Sequence, residues 1–385
     1  MAKIGCGWEE ILLVSKTTKP RNNKETGNGD PVSHLEEFKM AAVRMRAKLN
    51  RLLPYFLGKK DYCVSANTKP YVYHPQSRTL EPENQTLYLT KTLEMGDIST
   101  CLQSSHLDLS TREDMMSKFR QNVIQTRLIN HEGDHATRDM NALPLMQNML
   151  RVMWSYSGSF PRLLETSLTY KPRVSVSYKR GDTDLLISGN LGFLLSSKHQ
   201  LKQVEDTAEV KRTEQVSLEK PEIISPVFNL NKARTTQKLD TGFYDGSPFP
   251  YPHTLFIVST NRKWTTSDLV AQGVMFTFGR LAAEALNNGA SLGDTLEKPL
   301  TAQCIASDGI RLSFLSYQLN TLDFVSDSGI KNMVWISPGL FMYNKAVIHE
   351  TPGTRKKDPP TYEIELHGFN EECFEIFVRM ILNGS

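Results

Sequence analysis

The hydrophobic periodicity of this chain switches between two spacings, and this switch constrains the fold more strongly than any other feature of the sequence. Four segments carry apolar residues at intervals of three and four, which is typical of helices with one buried face. These segments begin near Ser110, Leu143, Thr266 and Asn370. Other segments alternate apolar and polar residues, as half-buried strands do. Because the two patterns follow one another without a regular strand–helix–strand order, we expect an α+β fold with mixed helices and mostly antiparallel strands, in a single compact body with an extended N-terminal segment.

The ends of the predicted helices carry recognisable signals. Ser110-Thr-Arg-Glu113 has the spacing of a capping box, which predicts the start of the first helix. Pro144 suits the first turn of the second helix, because that turn leaves its N–H groups unpaired in any case. Asn287-Asn288-Gly289 predicts the end of the longest helix. Asn370 is a favourable N-cap for the last one.

The strand signals are shorter than the helical ones. Alternation over 174–178, the turn-like Arg180-Gly181-Asp182 and a returning strand over 184–188 predict a hairpin. Ser307-Asp308-Gly309 predicts a second hairpin. The remaining predicted elements are a strand over 255–259, strands over 333–336 and 340–343, a strand or helix start over 87–92, a surface loop or short helix over 198–220, and a polar, basic loop over 351–360.

Composition limits what kind of partner the chain can have. Of its 385 residues, 39% are hydrophobic and 23% are charged, which is ordinary for a globular protein with a buried core. No apolar run is long enough to cross a membrane as a helix, so we expect no membrane span. The formal net charge is only +3, far below that of a tail that binds nucleic acid by charge alone. Any contact with RNA would therefore use local basic patches on a packed body.

The N-terminal region differs in character from the rest. Residues 16–31 are rich in Lys, Asn, Gly and Thr, so we expect 1–39 to be a disordered extension or a gene-model artefact. Between Met40 and Lys60 there are six basic residues and no acidic one, next to an apolar component. This pattern is typical of a mitochondrial transit peptide, which we place at 40–65 with Met40 as a usable start, and a basic surface helix is the alternative. We expect the α+β domain to occupy 66–385.

The potential metal ligands and nucleophiles form no convincing catalytic pattern. His131-Glu132-Gly-Asp-His135 matches the zinc motif H-E-x-x-H, which needs a helix to bring both histidines to one metal ion. Its inner pair, Gly133-Asp134, is a poor helix former, and the segment lies between two predicted helices. A solvated loop is therefore favoured over a zinc hydrolase. The chain has no P-loop, G-x-G-x-x-G or G-x-S-x-G motif, so we expect no enzyme, no cofactor and no small-molecule substrate.

The five cysteines are scattered along the chain. They form no C-x-x-C pair, which fits a reducing compartment better than a disulfide framework or a zinc ribbon. Cys304 and Cys373 lie in apolar stretches. Because a free cysteine is among the most frequently buried residues, we expect both to fill the core.

The least ordinary segment is a run in which prolines alternate with aromatic residues. Pro248, Pro250 and Pro252 are interleaved with Phe249 and Tyr251. Each residue before a proline is pushed to extended geometry, and proline lacks the N–H that a central strand needs. The run therefore predicts a stiff extended arm whose two rings project to the same side. Such an arm suits either a contact with a partner or internal packing.

Three clusters of basic residues are candidates for contact with RNA. Arg262 and Lys263 precede Trp264, and Lys179-Arg180 follows Tyr178, so that an aromatic ring could stack on a base next to a phosphate contact. Arg355-Lys356-Lys357 stands without an aromatic neighbour in its loop. Solvated surface charge is the alternative explanation for each cluster.

Four segments carry a resemblance to a known family. They are LYLTKT (87–92), TGFYDGSPFPYPHTLF (241–256), SDGIRLSFLSYQLNT (307–321) and KNMVW (331–335). From about Leu87 onwards the sequence resembles the mitochondrial ribosomal protein family that includes large-subunit protein L thirty-seven, together with a sister protein once linked to programmed cell death. The run of prolines and aromatic residues is the most specific of these segments.

The resemblance implies a non-catalytic role in the large ribosomal subunit, inside the mitochondrial matrix. It also implies contact with large-subunit rRNA and other mitochondrial ribosomal proteins, and a heterodimer with the sister family member. It supplies no catalytic residues to transfer. The alternative function is that of a mitochondrial RNA-binding or apoptosis-related protein outside the ribosome.

Overall fold

Helices and strands are mixed along the chain, as expected of an α+β protein. The computed structural model describes residues 70–102, 107–129, 138–226, 238–244, 246–258, 264–353 and 360–384. These ranges contain six helices: α1 (Pro82–Leu89), α2 (Leu109–Ile129), α3 (Arg138–Ser155), α4 (Thr207–Arg212), α5 (Thr266–Asn287) and α6 (Glu371–Leu382). They also contain twelve strands: β1 (Tyr71–Tyr73), β2 (Thr92–Gly96), β3 (Thr166–Tyr170), β4 (Arg173–Arg180), β5 (Thr183–Asn190), β6 (Phe193–Ser197), β7 (Tyr251–Val258), β8 (Thr295–Ser307), β9 (Arg311–Thr321), β10 (Asn332–Phe341), β11 (Lys345–Thr351) and β12 (Thr361–His367).

The strands form one large sheet and two small ones. The large sheet has seven strands in the order β2-β10-β9-β8-β7-β6-β3. Its β2–β10 and β7–β8 pairs are parallel, and its other four pairs are antiparallel. A three-stranded sheet has the order β1-β5-β4, and β11 pairs with β12 alone. The strands are therefore mostly antiparallel, as the sequence predicts.

The long helix α5 is buried along almost its whole length. A capping box starts it: the Thr265 hydroxyl accepts a hydrogen bond from the Asp268 N–H, and the Asp268 carboxylate accepts one from the Thr265 N–H. Every residue from Asp268 to Leu286 is buried. A helix with apolar residues all round needs neighbours on every side. α5 meets this need by packing against both the three-stranded and the seven-stranded sheet.

Two glycines let α5 approach the two sheets closely. A Cβ atom at Gly273 would lie 2.5 Å from Cδ2 of Leu315 in β9. A Cβ atom at Gly279 would lie 3.1 Å from Cγ2 of Ile187 in β5. At about 3.6 residues per turn these glycines are on different sides of the helix. The absence of a side chain at these two positions therefore allows α5 to pack closely against the large sheet on one side and the three-stranded sheet on the other.

The seven-stranded sheet separates two apolar cores. Successive side chains of a strand point to opposite faces, so Cys304 joins the core around α5, whereas Ile305 joins the core beneath α2, α3 and α6. In the second core, the Phe119 ring of α2 packs edge-on against Phe374 and Phe377 of α6, with ring centroids 5.1 and 5.5 Å apart. The fold therefore has four layers: small sheet, α5, large sheet, and surface helices.

An ion pair is buried in the C-terminal half of α5. Nη1 of Arg280 donates to Oε2 of Glu284 at 3.0 Å, and the guanidinium lies 4.4 Å from the ring centroid of Phe243. Burial lowers the pKa of Arg280 and raises the pKa of Glu284, and each charge opposes the shift of the other. Each charge of the pair compensates the other, because the surrounding apolar core can solvate neither of them.

Several predicted elements are confirmed. The longest helix and the last one occur where periodicity places them, and the Asn370 side chain caps α6 by accepting from the Cys373 N–H at 3.2 Å. The hairpin of β4 and β5 turns at Gly181, which has a φ of 56°. The hairpin of β8 and β9 turns at Gly309, which has a φ of 89°. Cys304 and Cys373 are buried, as predicted.

Four boundaries differ from the sequence-based expectation. Helix α2 begins at Leu109 and is capped by Asp108, which accepts from the Thr111 N–H, so Ser110 is not the cap. Helix α3 begins at Arg138, which leaves Pro144 inside the helix instead of in its first turn. Residues 87–92 span the end of α1 and the start of β2, because Pro82 starts α1 upstream. The two strands predicted over 333–343 are one strand, β10, with a register shift between Ser337 and Leu340.

The N-terminal predictions lie outside the described residues. This holds for the extension at 1–39 and for the transit peptide at 40–65, which stay predictions. All described residues fall within one compact unit, Asp61–Ser385. Among the helices that the structure describes, none is long and apolar enough to cross a membrane.

Candidate interaction surfaces

A largely exposed part of the described chain is the two-stranded ribbon of β11 and β12. Ile364 is the only buried residue of the two strands, and Ala346 and Leu366 pack partly against the core beneath α2 and α6. An isolated pair of strands is marginally stable in water, because it covers little apolar surface. The ribbon is therefore attached to the body by a few apolar side chains, and most of its residues remain available for contacts.

The two faces of the ribbon differ in chemistry. The register pairs Ile348 with Ile364, so these side chains share a face, and Ile348 is 40% exposed. On the other face Glu365 contacts His349 and His367, with N–O distances of 3.4 and 3.5 Å. Neither face is strongly basic. If the ribbon contacts phosphates, the contact belongs to the loop between its strands.

That loop contains one of the predicted basic clusters. Arg355, Lys356 and Lys357 lie between Thr351, where β11 ends, and Thr361, where β12 begins. The three residues themselves lie outside the described ranges. The predicted loop thus joins the two strands of an exposed ribbon, which the sequence alone did not show.

The second basic cluster is divided by the structure. Arg262 and Lys263 lie outside the described residues, whereas Trp264 is buried in the core around α5. Arg311 donates from Nη2 to the Trp264 carbonyl oxygen at 3.2 Å, and the same guanidinium is paired with Asp308. The expectation that Trp264 stacks on a base is wrong for this fold, because a buried ring cannot reach RNA without leaving the core. Trp264 is buried because its large apolar ring packs against other apolar side chains of this core, and the two basic residues before it do not determine where the ring lies.

The third cluster is also mostly internal. Tyr178 and Arg180 are buried, and only Lys179 between them is exposed. Alternation along β4 explains this, because every second side chain points into the core. The tyrosine hydroxyl donates to the Leu89 carbonyl oxygen at 3.1 Å. Tyr178-Lys179-Arg180 is therefore not an RNA-binding cluster, and the correction follows from strand geometry.

Arg180 belongs to a group of three buried cations that sequence patterns did not reveal. The group consists of Lys91 in the turn between α1 and β2, Arg180 at the end of β4, and Lys331 before β10, and each is 2% exposed or less. All three donate to backbone carbonyl oxygens of the β9–β10 loop (residues 322–331). The acceptors are Asp323 at 2.9 Å for Lys91, Phe324 and Ser326 at 3.1 and 3.3 Å for Arg180, and Gly329 at 2.7 Å for Lys331.

The charges of this group are only partly balanced. Arg180 pairs with Asp327 at 2.5 Å and lies 4.3 Å from the ring centroid of Tyr88, and Lys91 is 3.5 Å from the Asp323 carboxylate. Burial lowers the pKa of Lys91, and the carboxylate of Asp323 opposes that shift. Burial also lowers the pKa of Lys331, and the neighbouring charge of Lys91 lowers it further. The cations therefore hold the loop in place from inside and are not surface charges for a partner.

The β9–β10 loop presents an apolar side chain to solvent. Val325, between two of the carbonyl groups that Arg180 binds, is 75% exposed. A loop whose backbone is tied to buried cations loses little conformational freedom on binding, which favours contact with a partner. No periodic pattern could have identified this site, because the three cations come from distant parts of the sequence.

The run of prolines and aromatic residues is less separate from the body than expected. Strand β7 begins at Tyr251 instead of Leu255, so that Tyr251 pairs with Ser197 and Pro252 with Ser196. The register shifts next to this pair, and β8 pairs with β7 only from Thr254 onwards. Proline is tolerated in this interior strand because no ladder bond to β8 is required at its position.

The rest of the run lies at the surface of the sheet. Pro248 and Pro250 are exposed, and Phe249 is half-buried, with Nζ of Lys198 at 5.9 Å from its ring centroid. His253, which follows the run, is buried, with Nε2 2.9 Å from the carbonyl oxygen of Asn383. The predicted arm is therefore short, and its C-terminal part is built into β7. Whether its rings contact a partner stays a prediction.

Catalytic chemistry finds little support in the described residues. His131, Glu132 and His135 lie outside them. Among the residues that the structure does describe, no group of three or more His, Cys, Asp or Glu side chains is arranged to hold a metal ion. Burial raises the pKa of the Cys304 thiol to about 12, which makes it a poor nucleophile.

Comparison with known proteins leads to ribosomal proteins. The family described as "Mitochondrial 28S ribosomal protein S30 (PDCD9)" matches residues 259–385. The protein named "Large ribosomal subunit protein mL37" from Gallus gallus is 30% identical over 321 residues, which cover 82% of this chain and 74% of the relative. The proteins of the same name from Bos taurus and Rattus norvegicus are 28% and 27% identical, covering 88% and 82% of this chain and 80% and 75% of the relatives.

Each of these names is that of a ribosomal protein, so the matches define the class of protein to which this chain is similar. The alignment with the chicken protein includes most of both chains, so it compares whole folds and not a shared fragment. The chain belongs to the family of the large ribosomal subunit protein mL37. This result confirms the resemblance carried by the four sequence segments.

Proposed function

We propose that the chain is a non-catalytic structural component of the mitochondrial large ribosomal subunit. The observation that carries the proposal is its similarity, over 82% or more of its length, to proteins named for that subunit. The fold agrees, because its buried cations are held by internal contacts and its exposed features include the β11–β12 ribbon and the β9–β10 loop. Such features suit assembly into a larger particle more than the enclosed sites that enzymes use.

Contact with large-subunit rRNA is assigned to the loop of the ribbon and to the segment before α5. Arg355, Lys356 and Lys357 carry three positive charges between two exposed strands, and Arg262 and Lys263 carry two more. Neutralising phosphates releases counterions, which supplies affinity that depends on salt but not on sequence. Strand β12 of the ribbon carries Glu363 and Glu365, so we expect RNA to contact the loop at the end of the ribbon and not its strands.

Protein partners are assigned to the remaining surfaces. We place the chain in the mitochondrial matrix, in contact with other mitochondrial ribosomal proteins and in a heterodimer with the sister family member. The exposed Val325 in its fixed loop, and the half-buried rings of Phe249 and Tyr251, support contact with proteins because their chemistry is apolar. No cofactor, small-molecule substrate or membrane span enters this proposal.

Sedimentation of the full-length protein tests the proposal. Mitochondria from cells that express a tagged chain are lysed without nuclease, and the lysate is separated on a sucrose gradient. We expect the chain in the large-subunit fraction, and we expect nuclease treatment to shift it to lighter fractions. A peak only at the top of the untreated gradient would overturn the ribosomal role and favour a free RNA-binding or apoptosis-related protein.

A further inference from the structure

The two outer strands of the seven-stranded sheet are protected to different degrees. At one end, β2 contains Glu94, and its register with β10 shifts between Val334 and Trp335. A charge and an irregular register are common devices that prevent a further strand from adding to a sheet. At the other end, β3 has the sequence TSLTY and contains no charge and no proline, and its register with β6 has no shift.

The hydrogen bonds at the two ends of β3 show which of its backbone groups point outwards. The N–H of Lys198 donates to the Glu165 carbonyl oxygen at 3.1 Å, and the N–H of Lys171 donates to the Gly192 carbonyl oxygen at 2.9 Å. In an antiparallel pair, residues facing the neighbouring strand alternate with residues facing away. The odd-numbered residues of β3 therefore bond to β6.

The even-numbered residues of β3 are directed to the open edge. Leu168 and Tyr170 each offer one N–H donor and one carbonyl acceptor there, and Thr166 offers its carbonyl oxygen, because its N–H donates to the Leu163 carbonyl oxygen. Among the described residues, no backbone hydrogen bond reaches these five groups. The edge thus carries donors and acceptors in alternation, at the spacing of a strand.

Apolar side chains accompany this open edge. Leu164, before the strand, is 68% exposed, and Tyr170, at its end, is 57% exposed. Leu168 lies half-buried between them on the face of the helix layer. The Tyr170 ring lies 5.5 Å from the ring of Phe193, which orients it along that face. Exposed apolar groups beside unpaired backbone groups mark a contact surface and not a solvated edge.

We propose that an extended segment of a neighbouring protein adds to β3 as an eighth strand of the large sheet. A polypeptide strand supplies acceptors and donors in the alternation that the edge requires, whereas the phosphate backbone of RNA offers acceptors. The segment carries apolar side chains opposite Leu168 and Tyr170, on the face of the helix layer. This inference rests on the proposed assembly into the large subunit and names the kind of contact that the chain makes there.

Hydrogen exchange of the full-length protein tests the proposal directly. Peptides that cover 166–171 are compared between the free chain and the chain in purified large subunits. In the free chain we expect the amides of Leu168 and Tyr170 to exchange fast and those of Ser167 and Thr169 to exchange slowly. In the subunit all four should exchange slowly. Protection of all four in the free chain, or no added protection in the subunit, would overturn the proposal.

A pair of variants at one position separates the backbone from the side chain. Tyr170→Pro removes an outward N–H, and Tyr170→Ala removes the ring but keeps that N–H. Each variant competes with differently tagged wild type in the same cells, and the ratio in the large-subunit fraction is measured. We expect Tyr170→Pro to fall roughly tenfold below Tyr170→Ala, since it loses a hydrogen bond and blocks the approach of the new strand.

The controls distinguish this inference from the function on which it rests. Thermal melting of the free variants should show that both fold, whereas Thr169→Pro, which removes an inward N–H, should lower the melting temperature strongly. Equal incorporation of Tyr170→Pro and Tyr170→Ala would overturn the eighth strand while the ribosomal role stands. Wild type absent from the subunit would overturn the role, and the inference with it. If Tyr170→Pro has a much lower melting temperature than the wild type, then the hydrogen-exchange comparison of the wild-type protein is the test of the eighth strand.

Discussion

Arg180 donates from Nη1 to the carbonyl oxygen of Phe324 at 3.1 Å, across 144 positions of the sequence. The bond joins the hairpin of the small sheet to the loop that follows β9 in the large sheet. Because α5 lies between these two sheets, the contact closes the fold around the helix. Arg180 is thus an internal crosslink, although it follows an exposed lysine and precedes a turn.

Removing the Arg180 guanidinium should destabilise the whole protein. Arg180→Met leaves the Ser326 carbonyl oxygen without its donor, the Phe324 carbonyl oxygen with only the longer bond from the Gly181 N–H at 3.4 Å, and the Asp327 carboxylate without its partner. We expect the free energy of unfolding, measured in urea, to fall by about 3–5 kcal/mol. The matched control is Lys179→Met, one residue earlier and exposed, for which a change of about 0.5 kcal/mol or less is expected. Similar losses in the two variants would contradict the role of the buried position.

The ion pair in α5 allows a double-mutant cycle. Glu284→Gln leaves the Arg280 guanidinium buried opposite a neutral group, which should cost about 3–5 kcal/mol of unfolding free energy. Replacing both residues, as Arg280→Met with Glu284→Leu, removes the two charges together and should be close to neutral. Arg280→Met and Glu284→Leu are also measured singly, and a double variant as unstable as the sum of these two would show no energetic coupling and would contradict the ion pair.

The stability of the protein should depend on pH through His253. Burial lowers the pKa of this imidazole below its ordinary value of 6.5, and the bond to Asn383 opposes the shift only in part. The unfolded chain therefore takes up the proton first as the pH falls, so the contribution of His253 is complete above about pH 6.5 and declines below it. In thermal melts from pH 7.5 to 5.5, the difference between wild type and His253→Gln should shrink on the acidic side. Parallel curves would exclude this linkage.

The basic loop of the ribbon should determine part of the salt dependence of assembly. Replacing Arg355, Lys356 and Lys357 by Gln should reduce the slope of log affinity against log salt by about two to three, if each neutralises one phosphate. Binding to purified large-subunit rRNA at several salt concentrations gives this slope. Lys202, Lys211 and Lys220, all exposed, provide a triple Gln control with the same change in charge. Equal slopes in the two variants would show that the loop has no special role.

The two rings of the proline-rich run should matter more than its central proline. Replacing Phe249 and Tyr251 by Ala removes half-buried surface next to β6, and we expect a loss of about 1–3 kcal/mol in unfolding free energy. Pro250→Ala should be mild, since it mainly loosens the unfolded chain. Unchanged melting combined with poor entry into the subunit would assign the rings to a partner instead of to this chain.

The sequence predicted the parts of the fold whose periodicity is strong. Helix α5 was evident because apolar residues recur through more than five turns, and the hairpin at Gly181 because a turn signal separates two alternating runs. The ribbon was not predicted from the sequence, because β11 is largely exposed on both faces and shows no regular alternation of apolar and polar residues. A strand without a buried face leaves no pattern in the sequence.

The candidate sites were harder to predict, because side-chain direction and not residue type decides what a basic residue does. Lys179 and Arg180 are neighbours with the same charge, yet one faces solvent and the other lies in the core. Trp264 follows two basic residues and is nevertheless buried. The three cations beneath the β9–β10 loop come from positions 91, 180 and 331, and only the tertiary fold brings them together.

Helix α6 comes late in the chain, yet Phe377 reaches the middle of the large sheet, where its ring lies 6.5 Å from that of Phe256. During synthesis, residues 371–382 leave the ribosome only after every strand of the large sheet has been made. Until then, α2 and α3 cover this side of the sheet without α6, and the apolar surface that α6 would bury is exposed to chaperones and to aggregation. Truncations that remove residues 371–382 should therefore abolish the protein as completely as early ones, because quality-control proteases will meet a sheet with Phe256 uncovered.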